Sequence, residues 1–311
     1  MSEKIPTIKS PEGKKQKFFE LLVDGEFAPD QLEMKEVVGS LKRSPESETI
    51  LESEWKKFLA SGVKPWPNDT KPSRYHFTSA KVENGKLIIS VDPSMSYRDA
   101  IGARSPELLK LGREYVPTTA FANILLIAKT KSGQEKLGIT LRNTKQDYKP
   151  GGYLPTTGGS INLKNKETPF QAALRECKEE IGVEPEELEN LVCRGIIFNP
   201  AVSGAVIYFL ATTKLTVEEV LSRHHDDENQ TIFIPTKIVE FQKWLLASAH
   251  ANTGDGIAAM LLLGKDRYGE KWFEEMNKAL AWASAEYDNK QKEKELEQRD
   301  VQRVQKFKKL L

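Results

Sequence analysis

The spacing of apolar residues predicts helices over the first part of the chain. Apolar positions recur at helical intervals at Phe18 to Leu22, at Leu32 to Leu41 and at Ile50 to Leu59. Pro65-Trp66-Pro67 then interrupts the pattern, because proline does not continue a helix. We therefore interpret residues 1–68 as a helical N-terminal extension.

After residue 69 the pattern changes to short β-prone runs that alternate with helical stretches. Asn84-Gly85 lies between two such runs and predicts a hairpin over residues 75–91, because both turn positions tolerate positive φ. Further strands are predicted at residues 121–129, 136–142, 194–198, 205–213 and 231–234, and helices at 169–181, 236–249 and 256–263.

The C-terminal residues predict a helix that has little core to join. Residues 270–311 have helical character, and half of the residues in the segment 284–311 are charged. This segment is a solvated helix, a coiled-coil partner or a partly disordered tail. The division expected from the pattern is thus an extension (1–68), a central domain (69–283) and a charged helical tail (284–311).

Composition excludes some functional classes. The 46 basic and 45 acidic residues give a net charge of +1, so nucleic acid is an improbable partner without a local basic patch. Two cysteines are too few for a disulfide framework. With no signal peptide and no run of about 20 apolar residues, we expect a soluble cytoplasmic protein that does not bind membranes.

The segment Thr168 to Val183 contains the candidate chemistry. Thr168 is a good helix N-cap, Pro169 suits the first helical position, and Gln171 completes a capping box. Gly182 suits the left-handed position that ends a helix. These signals agree on a helix over residues 169–181.

Three carboxylates on this helix project from one side. At about 100° per residue, Glu176, Glu179 and Glu180 lie within an arc of about 100°. Their mutual repulsion costs a few tenths of a kcal/mol per pair, roughly, when they are exposed. Such a cluster is most often a solvated face, but a hard divalent cation such as Mg²⁺ would convert the repulsion into coordination.

The wider pattern favours the metal interpretation. Arg175-Glu176-Cys177-Lys178-Glu179-Glu180-Ile181-Gly182-Val183 resembles the core of the Nudix box, and Glu167 stands eight residues before Arg175, as the box requires. One departure is the seven residues between Gly159 and Glu167, where the box usually has five. The departure makes the backbone contribution of Gly158 and Gly159 uncertain.

The resemblance to the Nudix hydrolases implies an α/β fold, an α/β/α sandwich with a mixed sheet. It also implies a Mg²⁺ cofactor, or Mn²⁺ in its place, that grips a diphosphate and activates water. Arg175 would orient a glutamate, Glu167 would buttress the loop, and Cys177 would be a buried, unreactive thiol. The metal ligands expected are Glu176, Glu179, Glu180 and a carbonyl near Gly158.

In this family the general base lies on the box helix or on a later loop. The later candidate is Glu228, within the sequence His224-His225-Asp226-Asp227-Glu228-Asn229. The same run is also explained as a solvated loop before a strand. A third interpretation makes its histidines metal ligands.

Weaker features favour a substrate class. Pro200, seventeen residues after Val183, resembles a proline of the branch that cleaves ADP-ribose and nucleoside-diphosphate sugars, although Pro200 is also explained as a strand-entry residue. The run Thr253 to Leu263, which includes Asp255, resembles the closing segment of that branch. Arg142 and Tyr153 precede the box and are candidates for phosphate and base contacts.

The first hypothesis is therefore a pyrophosphohydrolase of ADP-ribose or a nucleoside-diphosphate sugar. A second keeps the class but changes the substrate to a dinucleoside polyphosphate, a dinucleotide cofactor or a capped RNA. A third is a non-catalytic Nudix module that senses a nucleotide, against which the complete set of carboxylates argues. The hairpin and the charged tail suggest a homodimer.

Overall fold

The computed structural model describes residues 18–62, 70–142, 152–223 and 229–287. Its strands are β1 (Glu20–Phe27), β2 (Leu32–Glu36), β3 (Arg74–Glu83), β4 (Lys86–Met95), β5 (Thr119–Lys129), β6 (Glu135–Arg142), β7 (Tyr153–Pro155), β8 (Thr157–Ser160), β9 (Leu188–Asn199), β10 (Gly204–Thr216) and β11 (Asn229–Pro235). Its helices are α1 (Pro45–Ala60), α2 (Tyr97–Gly102), α3 (Pro106–Leu111), α4 (Pro169–Ile181), α5 (Val217–Leu221), α6 (Ile238–Ser248), α7 (Gly254–Tyr268) and α8 (270–287).

All the described strands join one mixed sheet of eleven strands. Its main path runs β1-β9-β10-β5-β3-β4-β2, and β6, β7, β8 and β11 branch from β5 and β6. Strands β10 and β5 pair in parallel, as do β2 and β4, whereas the other neighbours are antiparallel. The mixed sheet expected from the resemblance is confirmed.

Strand β5 shows how the sheet is covered on both faces. Ala122, Ile124 and Leu126 belong to the core cluster on the side of α4, which also contains Cys177 and Ile181. Leu125 and Ile127 alternate with them and belong to the cluster of α6, α7 and α8. Because successive side chains of a strand point to opposite faces, a nearly continuous apolar run is the pattern of a strand buried on both sides. The sheet therefore lies between two helical layers.

The helical prediction for the N-terminal extension was wrong in two of its three segments. The residues around Phe18 to Leu22 lead into β1, which pairs with β9 in the register Glu20 to Phe198. Those around Leu32 begin β2, which pairs with β4. Short apolar runs have no period long enough to separate strand from helix, and here an available sheet edge decides the outcome.

The third segment is the helix α1, as predicted. Ser44 caps its first turn by accepting a hydrogen bond from the Ser47 amide at 3.1 Å, and Pro45 occupies the first position. Leu51 and Trp55 are buried four residues apart on one face. The residues Pro65-Trp66-Pro67 lie outside the described part of the chain.

The other main predictions of secondary structure are confirmed. Asn84 and Gly85 have φ of 51° and 73°, as the hairpin between β3 and β4 requires. The predicted strands correspond to β5, β6, β9, β10 and β11, and the predicted helices to α4, α6 and α7. The short elements α2, α3, α5, β7 and β8 were not anticipated. Of the charged tail, residues 284–287 continue α8 and the rest lies outside the described residues.

Within the described ranges, no helix has both the length and the apolar character needed to cross a bilayer.

His76 in β3 predicts a specific pH dependence of stability. The side chain is buried, its Nδ1 accepts a hydrogen bond from the Thr118 amide at 2.9 Å, and burial lowers its pKa to about 4 from 6.5. The unfolded chain therefore binds more protons than the folded chain between these values. Stability should fall as pH drops from about 6.5 to about 4, by up to about 1.4 kcal/mol per pH unit from this residue.

His76→Asn should flatten this slope, because an asparagine side chain does not titrate. Its amide oxygen retains an acceptor for the Thr118 amide, so the local structure should be kept. The measurement is the free energy of unfolding against pH, with His250→Asn as the control for an imidazole stacked on Tyr287. Hydrogen bonds lower the pKa of the nearby Asp92 and Asp99 carboxyls, and Arg43 lowers that of Asp99 as well. The stability that these two carboxylates contribute is lost at more acidic pH, and equally so in both variants. An unchanged slope in His76→Asn would contradict the assignment.

Candidate active site

The acidic helix α4 has the ends that its sequence predicts. The Thr168 hydroxyl accepts a hydrogen bond from the Gln171 amide at 3.2 Å, and the Gln171 side chain accepts one from the Thr168 amide at 2.9 Å. Gly182 ends the helix with φ of 64°. The apolar face, which includes Ala172, Ala173 and Cys177, is fully buried against the sheet. Glu176 is buried beside this face, Glu180 is half-buried and Glu179 is exposed, so the glutamates extend from the sheet side of the helix to its solvent side.

Strand β8 brings two glycines against this helix. Gly158 pairs with Asn123 of β5, and Gly159 with Ala122. A Cβ atom on Gly159 would lie 2.0 Å from Oε1 of Glu176, so the carboxylate occupies the space that a side chain would need. The Gly158 amide donates a hydrogen bond to Oε2 of Glu180 at 3.0 Å. Despite the longer loop, both glycines thus contact box carboxylates.

Arg175 joins three carboxylates. Its Nε and Nη2 donate to the two oxygens of Glu167 at 2.7 and 3.1 Å. Its Nη1 donates to Glu176 at 2.7 Å and to Glu179 at 2.9 Å. Nη2 also reaches the Ser160 carbonyl at 3.2 Å. These contacts use several N–H donors of one planar guanidinium at once. A lysine ammonium could not reach all of these acceptors, which explains why the position holds arginine.

Glu167 connects the helix to the loop that precedes it. The side chain is buried, and its Oε2 accepts a hydrogen bond from the Asn162 amide at 2.9 Å as well as from Arg175. The Glu167 amide in turn donates to the Asn162 carbonyl at 3.2 Å. Glu167 therefore fixes the loop between β8 and α4.

The site carries excess negative charge. Three carboxylates, those of Glu167, Glu176 and Glu179, pair with the guanidinium of Arg175, and the carboxylate of Glu180 accepts from the Gly158 amide instead. The other cation of the helix, Lys178, pairs with Glu184 at 3.0 Å. Burial raises the pKa of Glu176, an effect that Arg175 opposes. The carboxylates raise the pKa of Arg175, which keeps it charged.

The Cys177 thiol is not part of this chemistry. It is fully buried on the apolar face, and burial raises its pKa to about 12. A thiol is reactive as its thiolate, so this cysteine acts as a small apolar group. The expectation of a buried, unreactive thiol agrees with this environment.

The donor set suits a hard divalent cation. Three box carboxylates and the backbone of Gly158 offer oxygen ligands without sulfur or imidazole, the chemistry that Mg²⁺ and Mn²⁺ accept. In the described residues, however, no three His, Cys, Asp or Glu side chains converge on a single point. The ligand oxygens instead contact Arg175 and the Gly158 amide, which occupy them in the structure described here.

The residues suggested for substrate binding lie in separate places. Arg142 ends β6. Burial raises the pKa of the Asp255 carboxyl, and the positive charge of Arg142 opposes this shift by favouring the ionised carboxylate. Tyr153 begins β7 and packs edge-on against Trp244 with 5.2 Å between ring centroids. Pro200 is exposed in the turn after β9. Glu228 lies outside the described residues, so its role stays a prediction.

Sequence reasoning gave no role to a buried polar cluster behind β8. Asn123 and Asn199 each donate a hydrogen bond to the Asp255 carboxylate at 3.3 Å, and the Tyr208 hydroxyl donates to the Asp255 carbonyl. One signal was available: Asn123 is an amide inside the otherwise apolar run of β5. Buried amides need partners, so this position implies a polar neighbour.

Comparison with known families agrees with this geometry. Residues 124–253 match the model of the NUDIX domain. This range begins within β5 and includes β8, α4, β9 and β10. No curated protein sequence matches the chain. Residues 124–253 of the chain therefore carry a NUDIX domain.

Similar solved structures include an Ap4A hydrolase from C. elegans in a binary complex, at 22% identity over 47% of this chain and 95% of that one, with a TM-score of 0.34. A Nudix hydrolase from M. smegmatis has 16% identity over 48% and 84% of the two chains and a TM-score of 0.35. A bifunctional NMN adenylyltransferase/ADP ribose pyrophosphatase from Francisella tularensis, complexed with AMP and a Mn ion, has 13% identity over 56% and 50% and a TM-score of 0.33. The match to the NUDIX domain model alone carries the assignment of that domain.

Gly159→Ala should weaken metal binding without unfolding the protein. The new Cβ would lie 2.0 Å from Glu176 Oε1, and the flexible carboxylate would move rather than the backbone. We expect the affinity for Mn²⁺ to fall about tenfold, the lower range for a disturbed ligand shell. Mn²⁺ titration and thermal unfolding of the variant measure the two effects.

The control is Ser160→Ala, the next residue of β8, which retains the carbonyl that Arg175 contacts. It should bind Mn²⁺ as the unmodified protein does. If Gly159→Ala also retained full affinity, Glu176 would be excluded as a ligand.

Proposed function

We propose that this protein is a Mg²⁺-dependent hydrolase that cleaves the pyrophosphate bond of a nucleoside diphosphate linked to another group. The observation that carries the proposal is the intact set of box carboxylates on α4, held against β8 by Gly158, Gly159 and Arg175. A pure ligand sensor would have no need of this costly accumulation of like charge. The best candidates for the substrate are ADP-ribose and nucleoside-diphosphate sugars.

The residues that would hold the cation are Glu176, Glu179, Glu180 and the Gly158 carbonyl. When bound, Mg²⁺ supplies charge neutralisation at the diphosphate and a water of lowered pKa. Arg175 keeps Glu176 and Glu179 on one side of the helix through its two hydrogen bonds from Nη1. Glu167 holds Arg175 in turn, so it acts on the ligands without touching them.

In the reaction, a water oxygen forms a bond to one phosphorus as the bridging P–O bond breaks. The products are a nucleoside monophosphate and the phosphate of the second group. A glutamate accepts the proton that the water loses, either on the box helix or at Glu228. Glu228→Gln, tested beside the box variants, distinguishes these two assignments.

The substrate class rests on features around the box. Pro200 follows β9 at about the place where the ADP-ribose branch has a proline, and Asp255 opens α7 as in the closing segment of that branch. Tyr153, half-buried beside Trp244, offers an aromatic surface for a base. Arg142, at the end of β6, is the candidate for a phosphate contact.

Glu180→Gln should nearly abolish turnover while leaving the fold intact. The amide keeps the size of the side chain and an oxygen for the Gly158 amide, but it removes the negative charge that a cation requires. The loss in kcat should be about 100-fold or more. Hydrolysis assays with Mg²⁺, together with thermal unfolding, measure activity and fold separately.

Glu186→Gln is the matched control. It removes an exposed carboxylate just after the same helix and should leave kcat unchanged. Full activity in Glu180→Gln would remove the box from the mechanism.

A substrate panel identifies the second half of the substrate. ADP-ribose, UDP-sugars, NADH and diadenosine polyphosphates are incubated with the protein in Mg²⁺ and in EDTA, and the products are identified. We expect ADP-ribose or a sugar nucleotide to be cleaved fastest, with all turnover lost in EDTA. Preference for a dinucleoside polyphosphate or dinucleotide would keep the enzyme class and change the substrate. Tight nucleotide binding without turnover would favour a sensor.

The β3–β4 hairpin and the charged tail also support a homodimer as part of this proposal. Sedimentation that showed only monomer at micromolar concentration would contradict it.

A further inference from the structure

Asp255 is a buried carboxylate that the proposed reaction does not use. It lies in the first turn of α7, capped by Thr253, whose hydroxyl accepts a hydrogen bond from the Gly256 amide at 3.1 Å. The residue is 8% exposed. A buried carboxylate without partners would be strongly destabilising, so the groups that contact it must compensate for lost hydration. Two of those groups are asparagine amides.

The two asparagines form a symmetrical pair around this carboxylate. Asn123 Nδ2 donates to Oδ2 at 3.3 Å, and Asn199 Nδ2 donates to Oδ1 at 3.3 Å. Both asparagines are buried, at 6% and 0% exposure. Because each amide nitrogen faces the carboxylate, each amide oxygen must point away from it. The carboxylate thereby sets the orientation of both carboxamides.

The two amide oxygens point to different parts of the fold. The oxygen of Asn199 accepts a hydrogen bond from the Ala201 amide at 3.0 Å, within the turn between β9 and β10. The oxygen of Asn123 lies against Gly158, where a Cβ atom would approach it to 2.1 Å. Asn123 therefore packs directly beneath the peptide whose amide donates to Glu180 at 3.0 Å. The cluster therefore has two arms. The Asn123 arm runs from Asp255 through Asn123 to Gly158 and Glu180, and the Asn199 arm runs from Asp255 through Asn199 to the turn at Ala201.

We propose that Asp255 and Asn123 are positioning residues for the metal site, and that they act by fixing the Gly158 backbone on which Glu180 rests. The proposal deepens the proposed function and rests on it for the identity of the metal ligands. Asp255 orients the Asn123 carboxamide, and that carboxamide limits how far the glycine peptide can move toward α7. The Gly158 amide then holds one oxygen of Glu180 beside the strand.

This arrangement also accounts for two features of the sequence. Asn123 lies among the apolar side chains of Phe121, Leu125 and Ile127 on one face of β5, a costly choice if the position served packing alone. Gly158 must lack a side chain because the Asn123 oxygen occupies its place. Each residue is thus explained by its neighbour in the series from Asp255 to Glu180.

The two arms provide a matched test in the full-length protein. Asn123→Ala and Asn199→Ala delete the same carboxamide and the same kind of hydrogen bond to Asp255, so both should lower the stability. The loss should be the larger in Asn199→Ala, which also removes the acceptor of the Ala201 amide. Asn123→Ala alone should weaken Mn²⁺ binding, by about tenfold, and lower kcat with little change in KM. Asn199→Ala should retain the Mn²⁺ affinity. Mn²⁺ titration, unfolding curves and steady-state kinetics give the three readouts.

Asp255→Asn serves if Asn123→Ala does not fold, because it preserves volume while removing the charge that orients both amides. It should weaken Mn²⁺ binding as Asn123→Ala does. Equal effects of Asn123→Ala and Asn199→Ala on Mn²⁺ affinity, or no effect of either, would overturn the proposal. A selective loss of Mn²⁺ affinity in a protein that hydrolyses none of the substrates would support the positioning role and reject the proposed reaction. Normal turnover of the unmodified protein, with the same Mn²⁺ affinity in Asn123→Ala and Asn199→Ala, would support the proposed reaction and reject the positioning role.

Discussion

The site depends on the binding of several carboxylates by one guanidinium. Arg175 contacts Glu167, Glu176 and Glu179 within 3.1 Å, and its charge offsets part of a repulsion that would otherwise spread these side chains apart. Arg175 also fixes the loop through Glu167 and the strand through the Ser160 carbonyl. The remaining negative charge is what would attract the divalent cation of the proposed reaction.

The sheet supplies the rigidity that this electrostatic arrangement needs. Strand β5 is buried on both faces and pairs with β8, so the two glycines that contact the glutamates belong to the sheet rather than to a free loop. A functional group on a rigid element is held more accurately than one on a mobile segment. Asn123 is the place where a polar side chain enters this scaffold.

The long loop between Gly159 and Glu167 connects the site to the N-terminal strands. The Leu163 amide donates a hydrogen bond to the Ser73 carbonyl at 3.2 Å, and Asn162 forms an antiparallel bridge with Arg74. Leu163 packs on the core cluster below α4. The additional loop length is thus used for contacts to β3, and the loop is anchored at both of its ends.

The sequence by itself determined the box helix, its caps and the face that carries the glutamates, because those depend on contacts within a few residues. It also determined the hairpin at Asn84 and most strands of the sheet. It did not determine β1 and β2, whose short apolar runs fit either structure until a sheet edge is available. Nor could it bring Asp255 to Asn123, or Gly158 to Glu180, since these pairs lie 132 and 22 residues apart and meet through strand pairing and helix packing. Tertiary structure alone decided which polar groups share the interior.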